Sequence, residues 1–145
     1  MSQDERDEIV RMIKANFAAF TAHSIDGMKA MDHPDGTIWD MFEPELFIGT
    51  EGRARFRKND VGQSKKRGKL VINVEDPVLV DIWDNTALAR YYLNFTYEPP
   101  NAMANRIRIT DVFQRIDGRW MRRHHHEGTI PSGVPPITEP GPDRK

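Results

Sequence analysis

The chain has 145 residues and a mass of 16.8 kDa, which suits one domain; two independent cores would be unusual at this size. Hydrophobic residues at 38% supply enough material for a core, and a net charge of −1 argues against a general binder of nucleic acid or anionic membranes. The absence of cysteine removes disulfides, thiolate catalysis and thiolate zinc sites together.

No apolar run approaches the roughly 20 residues needed to cross a bilayer. The opening residues, Met-Ser-Gln-Asp-Glu-Arg-Asp-Glu, are acidic and polar, the reverse of a signal or transit peptide. The expectation is a soluble, cytoplasmic chain with a folded domain over 1–131.

Residues 4–23 predict a helix, because Ile9, Ile13, Phe17 and Phe20 fall on one stripe. Ser2 with Glu5 fits a capping box at its start. Ser24 can cap a short second helix reaching about Met31, and the His33-Pro34-Asp35-Gly36 run stops it. Residues 37–42 read as a strand ended by Glu43-Pro44, and 46–49 as a second brief extended piece. A third helix runs from Glu51 to about Asn59, followed by the basic loop Ser64-Lys65-Lys66-Arg67-Gly68-Lys69, which reads as solvated.

From Leu70 the hydrophobic period changes to two. Strands are expected over 70–74, 78–83, 86–97, 105–116 and 120–129. Glu98-Pro99-Pro100-Asn101-Ala102 is a hairpin loop, and Asp117-Gly118 is the strongest turn signal of the chain. Residues 131–145 hold five of the ten prolines without apolar periodicity, so 132–145 reads as a Pro-rich extended tail. Helices first and strands afterwards make an α+β plan with the sheet curling around the helices.

The sequence carries no Gly-rich phosphate loop, no Gly-x-Ser-x-Gly elbow and no His-Glu-x-x-His, so the expectation is no cofactor and no metal. Strict alternation puts Trp120, Arg122, His124 and His126 on one face and His125 on the other. His124 and His126 then read as metal ligands, as hydrogen-bonded structural histidines, or as pocket acids or donors. Arg106, Arg108 and Thr110 share a face on the preceding strand. Asp40, on the Ile38-Asp40-Phe42 side, is either exposed at an edge or buried with a raised pKa, and the second state makes a general base. Arg90, Tyr92, Asn94 and Thr96 alternate with Ala89, Tyr91, Leu93, Phe95 and Tyr97, and one of the two sets must face inward.

Three motifs stand in order: Asp40 with Pro44 and Gly49; Arg108-Ile109-Thr110; and Asp117-Gly118-Arg119-Trp120 followed by His124-x-His126. Over about residues 5–131 this resembles the nuclear transport factor 2-like superfamily, in particular its SnoaL-like and ketosteroid-isomerase-like branch. The chain departs from the branch at Gly128, where Ser is usual, and at Arg122-Arg123, where apolar residues are usual.

The resemblance implies a conical fold: three N-terminal helices packed in a strongly curved, mainly antiparallel sheet, with a pocket at the wide end and a homodimer through the sheet. It also implies a cofactor-independent lyase, isomerase or dehydratase moving protons on a small aromatic or polycyclic hydroxy or carbonyl substrate. Asp40 would be the general base. His126, with His124, would be the acid or donor, and Arg108 would orient substrate or stabilise developing negative charge. Trp39, Tyr92 and Thr110 would contact the substrate. The alternatives are a non-catalytic module that binds a small acid or drives oligomerisation, and a scaffold subunit of an oxygenase.

Overall fold

The structure, a computed structural model, describes residues 3–131. The expected capping role of Ser2 and the Pro-rich tail 132–145 lie outside the described residues. Helix α1 (Gln3–Thr21) and the short α2 (Ile25–Lys29) are followed by β1 (Asp32–Trp39), β2 (Phe47–Ile48) and α3 (Gly49–Ser64). Five strands complete the order: β3 (Leu70–Val74), β4 (Leu79–Trp83), β5 (Thr86–Tyr97), β6 (Met103–Ile116) and β7 (Arg119–Thr129). No helix among the described residues is long and apolar enough to cross a membrane.

The predicted stripe of α1 is the one it buries. Ile9 and Ile13 are wholly buried against the sheet, while Phe17 and Phe20 reach a cavity further along. Ser24 caps α2 as expected, its Oγ accepting from the Gly27 amide at 3.2 Å. Helix α3 extends five residues beyond Asn59. It docks through Phe56, edge-on to the Phe47 ring at 5.5 Å, and through Gly52, where a Cβ would come within 2.8 Å of the Phe47 backbone. Ala54, expected as an apolar contact of α3, is exposed.

The strands form one mixed sheet in the order β2-β1-β7-β6-β5-β3, with β4 also pairing β5. All pairings are antiparallel except β1 with β7. Asp117 (φ 51°) and Gly118 (φ 77°) both take positive φ, the two-residue turn whose twist suits a hairpin between β6 and β7. The turn-like Pro34-Asp35-Gly36 does not precede β1. It lies inside it, where the register with β7 shifts between Asp32 and Thr37.

The inward face of the long strands is the aromatic and aliphatic set: Tyr91, Leu93, Phe95 and Tyr97 of β5, with Ile107, Ile109 and Phe113 of β6. The outward face carries Arg90, Tyr92, Asn94 and Thr96. The helices pack in the concave side of this curved sheet, giving the cone-like α+β fold expected from the sequence.

Candidate active site

A cavity of about 140 Å³ lies between the sheet, α1 and α3. Its walls are apolar on the sheet side, including Leu70, Ile72, Leu93, Phe95 and Ile107. Asp40, His125 and Glu127 also line it.

The way these three residues meet begins with one extra residue in β7. Val112 pairs with His124 and Phe113 pairs with Arg122, so Arg123 has no partner of its own. A bulge of this kind reverses the alternation beyond it. Before it Trp120 and Arg122 point inward; after it His125 and Glu127 do, while His124 and His126 turn to the outer face. Strand β1 pairs in parallel with this segment, Ile38 opposite His125 and Trp39 opposite His126. Asp40 follows on the inward side and meets Glu127.

The polar groups form a continuous chain through an otherwise apolar interior. The Tyr91 hydroxyl donates to Asp111 at 2.6 Å, and Asp111 faces His125 Nδ1 at 2.5 Å. His125 Nε2 lies 2.9 Å from Glu127 Oε2. With a carboxylate on each ring nitrogen, an imidazolium donates twice. Arg122 braces the other side, its Nε and Nη2 on the two Asp32 oxygens at 2.7 and 3.2 Å, with Nη1 3.6 Å from Asp111. Glu127 further accepts from the Met41 amide at 3.4 Å, and Asp40 Oδ2 accepts from the Phe42 amide at 2.8 Å.

Electrostatics separates the two cavity carboxyls. Burial raises the Asp40 pKa first, the Glu127 charge and their shared hydrogen bond add to it, and it reaches about 8. Burial would also raise Glu127, but the hydrogen bond and charge of His125 outweigh it and hold Glu127 low. Burial opposes the charge on His125, yet the adjacent Asp111 prevails and raises it to about 9. Asp111 is lowered despite complete burial, by the charges of His125 and Arg122 and by its hydrogen bonds. Near neutral pH the arrangement is therefore a protonated Asp40 beside an ionised Glu127, anchored by an imidazolium.

Of the residues singled out from sequence, Asp40 is in the cavity and the rest are not. Arg108, Thr110, Tyr92 and His126 line an open groove on the convex face of the sheet. Trp39 lies on that face too, its ring edge-on to His124 and His126 at 5.6 and 5.2 Å, and His124 Nδ1 is 2.6 Å from the Thr37 hydroxyl. The expected convergence of Asp40, Arg108 and His126 is corrected: the sheet separates them, because the bulge exchanges His126 for Glu127 and the apolar set of β5 and β6 faces inward. No group of three or more His, Asp or Glu suited to a metal occurs among the described residues.

Sequence reasoning missed Glu127, His125, Asp111 and Arg122. Asp111 did carry a signal: it interrupts the otherwise apolar alternation Ile107, Ile109, Phe113.

The model of the SnoaL-like domain matches residues 9–131. The chain belongs to the SnoaL-like domain family. No curated protein matches the sequence. Similar solved structures include an NTF2-like protein of unknown function from Pseudomonas putida KT2440, 22% identical, with a TM-score of 0.72 over 88% of this chain and 87% of that one. A candidate dehydratase of the NTF2-like family from Streptomyces avermitilis is 14% identical, with a TM-score of 0.77 over 90% and 100%. The association domain of C. elegans CaMKII is 20% identical, with a TM-score of 0.67 over 88% and 97%. At these identities the likenesses establish that this SnoaL-like domain shares their fold.

Proposed function

We propose that this SnoaL-like domain is a cofactor-independent acid–base enzyme, an isomerase, dehydratase or lyase of a small aromatic hydroxy or carbonyl compound held in the cone cavity. The observation that carries this reading is Asp40: a carboxyl with a pKa of about 8, coupled to an ionised Glu127, at the wall of an apolar cavity. Such a group is a stronger base than an ordinary carboxylate and gives its proton back near neutral pH.

Ionised Asp40 takes a proton from the carbon next to a carbonyl. The C–H electron pair becomes a C=C bond to the carbonyl carbon, and the C=O π pair moves onto oxygen, from where it returns when the next bond breaks or forms. In an isomerisation Asp40 returns that proton to a second carbon. In a dehydration the adjacent C–O bond breaks and Asp40 protonates the departing hydroxyl, which leaves as water. Glu127, His125 and Asp111 act through Asp40 as positioning residues, fixing its orientation and basicity.

A cavity of about 150 Å³ is enough to take benzene, so a volume of about 140 Å³ favours one ring over a polycycle. The candidate dehydratase among the relatives agrees with the elimination branch. A non-catalytic assembly module is the second reading, favoured by the likeness to a kinase association domain. Homodimerisation through the convex sheet face is compatible with both, since Trp39, Tyr92, Leu79 and Trp83 are exposed there.

The test is hydrogen–deuterium exchange followed by NMR on phenylacetone and cyclohex-3-enone. Exchange above the buffer rate in the native protein, lost by about a hundredfold or more in Asp40→Asn, is expected. Equal exchange in both proteins, or none above buffer, rejects the catalytic reading.

A further inference from the structure

The apolar sheet wall of the cavity faces a helix that is not apolar. Helix α3 lines the cavity with Arg53 and Arg57, one helical turn apart and therefore on one face. Like charges at this spacing repel, and partial burial strengthens the repulsion. A helix that merely covered a core would carry aliphatic residues there.

The pair is short of negative charge. Arg53 is half-buried and donates through Nη1 to the His33 carbonyl at 2.7 Å and through Nη2 to the Thr50 hydroxyl at 3.5 Å. Burial lowers its pKa, Arg57 and Arg122 push in the same direction, and Asp32 opposes them. Asp32 is already engaged, with both oxygens held by Arg122 at 2.7 and 3.2 Å. Arg57, also half-buried, enters no hydrogen bond or ion pair among the described residues. Asp60, three residues further on, does not pair with it; the charges that bear on Asp60 are His23, Glu127 and Arg67. A guanidinium presents its N–H donors in a planar fork that matches a carboxylate, and the fork of Arg57 is unoccupied.

Hydrogen bonds fix where the pair stands relative to Asp40. His33, which accepts from Arg53, follows Asp32 in β1, and Asp32 is the register partner of Arg122 in β7. Arg122 Nη1 is 3.1 Å from His125 Nδ1, and His125 Nε2 is 2.9 Å from Glu127, which shares a hydrogen bond with Asp40. The order along the cavity wall is therefore Arg53, the Asp32–Arg122 pair, His125, Glu127 and Asp40. A ligand reaching past the His125 ring meets guanidinium donors on one side of it and the Asp40 carboxyl on the other.

We propose that Arg53 and Arg57 form an anion-binding pole of the cavity and hold the carboxylate of the ligand on the Arg122 side of His125. The substrate class narrows to single-ring carboxylic acids that carry a carbonyl or hydroxyl at the reacting position, within reach of Asp40. This rests on the reading of the cavity as a substrate site, and it adds two specificity residues to it.

The test is a calorimetric comparison of phenylacetate with phenylacetamide at pH 7.5, two probes of one shape that differ in charge. The native protein is expected to bind phenylacetate more tightly by about tenfold. In Arg57→Met most of that preference should be lost, while Arg57→Lys, which keeps the charge without the fork, should retain part of it. Circular dichroism checks that both variants fold. Equal affinity for the two probes in the native protein overturns the proposal without recourse to a variant, as does failure of phenylacetate to bind at millimolar concentration. A ratio that moves by less than about twofold in Arg57→Met overturns it too. Because the readout is binding, it can fail while Asp40-dependent exchange stands, and the exchange can fail while the preference holds.

Discussion

His125 of β7 and Asp111 of β6 sit directly opposite one another, with Nδ1 and Oδ1 2.5 Å apart and both side chains buried. The imidazolium links a structural carboxylate on one side to a cavity carboxylate, Glu127, on the other. What Asp111 contributes to folding and what Glu127 contributes to the site therefore pass through the same ring.

Stability should fall as the solution becomes alkaline. His125 has its pKa raised from 6.5 to about 9 in the fold, so its stabilising effect is complete below about 6.5 and is lost as pH rises through about 9. Asp40, raised from 3.8 to about 8, has the same sign, since the folded state holds its proton longer than the unfolded state. The urea midpoint should drop between pH 6.5 and pH 9, and His125→Gln should lower it overall while flattening the slope. A midpoint constant across this range would contradict the imidazolium.

His124 and His125, adjacent in sequence, should titrate apart. His125 should keep its proton to about pH 9, whereas burial and the neighbouring His126 push His124 below its ordinary value. NMR titration of the ring carbons reads each directly. Coincident midpoints for His124 and His125 would contradict the bulge at Arg123.

Removing the charge of Glu127 should shift activity in pH. Burial is the larger cause of the high Asp40 pKa and survives the change, but the Glu127 contribution is lost in Glu127→Gln. If ionised Asp40 is the base, the rate rises with pH around 8 in the native protein and at lower pH in the variant. An unmoved profile would assign the base elsewhere.

Arg122 should be costly to remove alone. It is 5% exposed and holds Asp32 through two hydrogen bonds beside the fully buried Asp111. Arg122→Met leaves Asp32 without its hydrogen-bonded cation and Asp111 with His125 alone, at a cost of about 3–5 kcal/mol, and adding Asp32→Leu should recover part of it. Denaturant melts that differ by less than about 1 kcal/mol would show the pair to be dispensable.

The convex face should govern assembly. Charging it with Trp39→Asp and Tyr92→Asp together should convert a dimer to a monomer in sedimentation analysis, leaving the cavity intact. An unchanged mass in both proteins would rule out this face as the interface.

The folding pattern was legible because each long strand keeps one residue type per side and Asp117-Gly118 fixes the hairpin. Asp40 was legible as a lone acid among Ile38, Met41 and Phe42. Its partners were not, for a physical reason. Alternation predicts facing only while every residue of a strand has a partner, and the unpaired Arg123 exchanges the two faces for all that follows. The bulge accounts for His126 alone; the resemblance points Tyr92, Thr110 and Arg108 to the cavity, although Tyr91, Leu93 and Ile109 beside them are the residues a sheet would bury.

The parallel pairing of β1 with β7 has a consequence for synthesis. The Met41 amide and the Glu127 side chain that accepts from it are 86 residues apart, and every strand of the hairpin series lies between them. A contact of such long range forms late, after the entropy of closing the loop has been met. A chain emerging from the ribosome holds Asp40 for most of its length as an ordinary solvated acid. Its basicity is acquired only when the last strand slots in beside the first, so the chemistry proposed for this cavity begins at the moment the fold is complete.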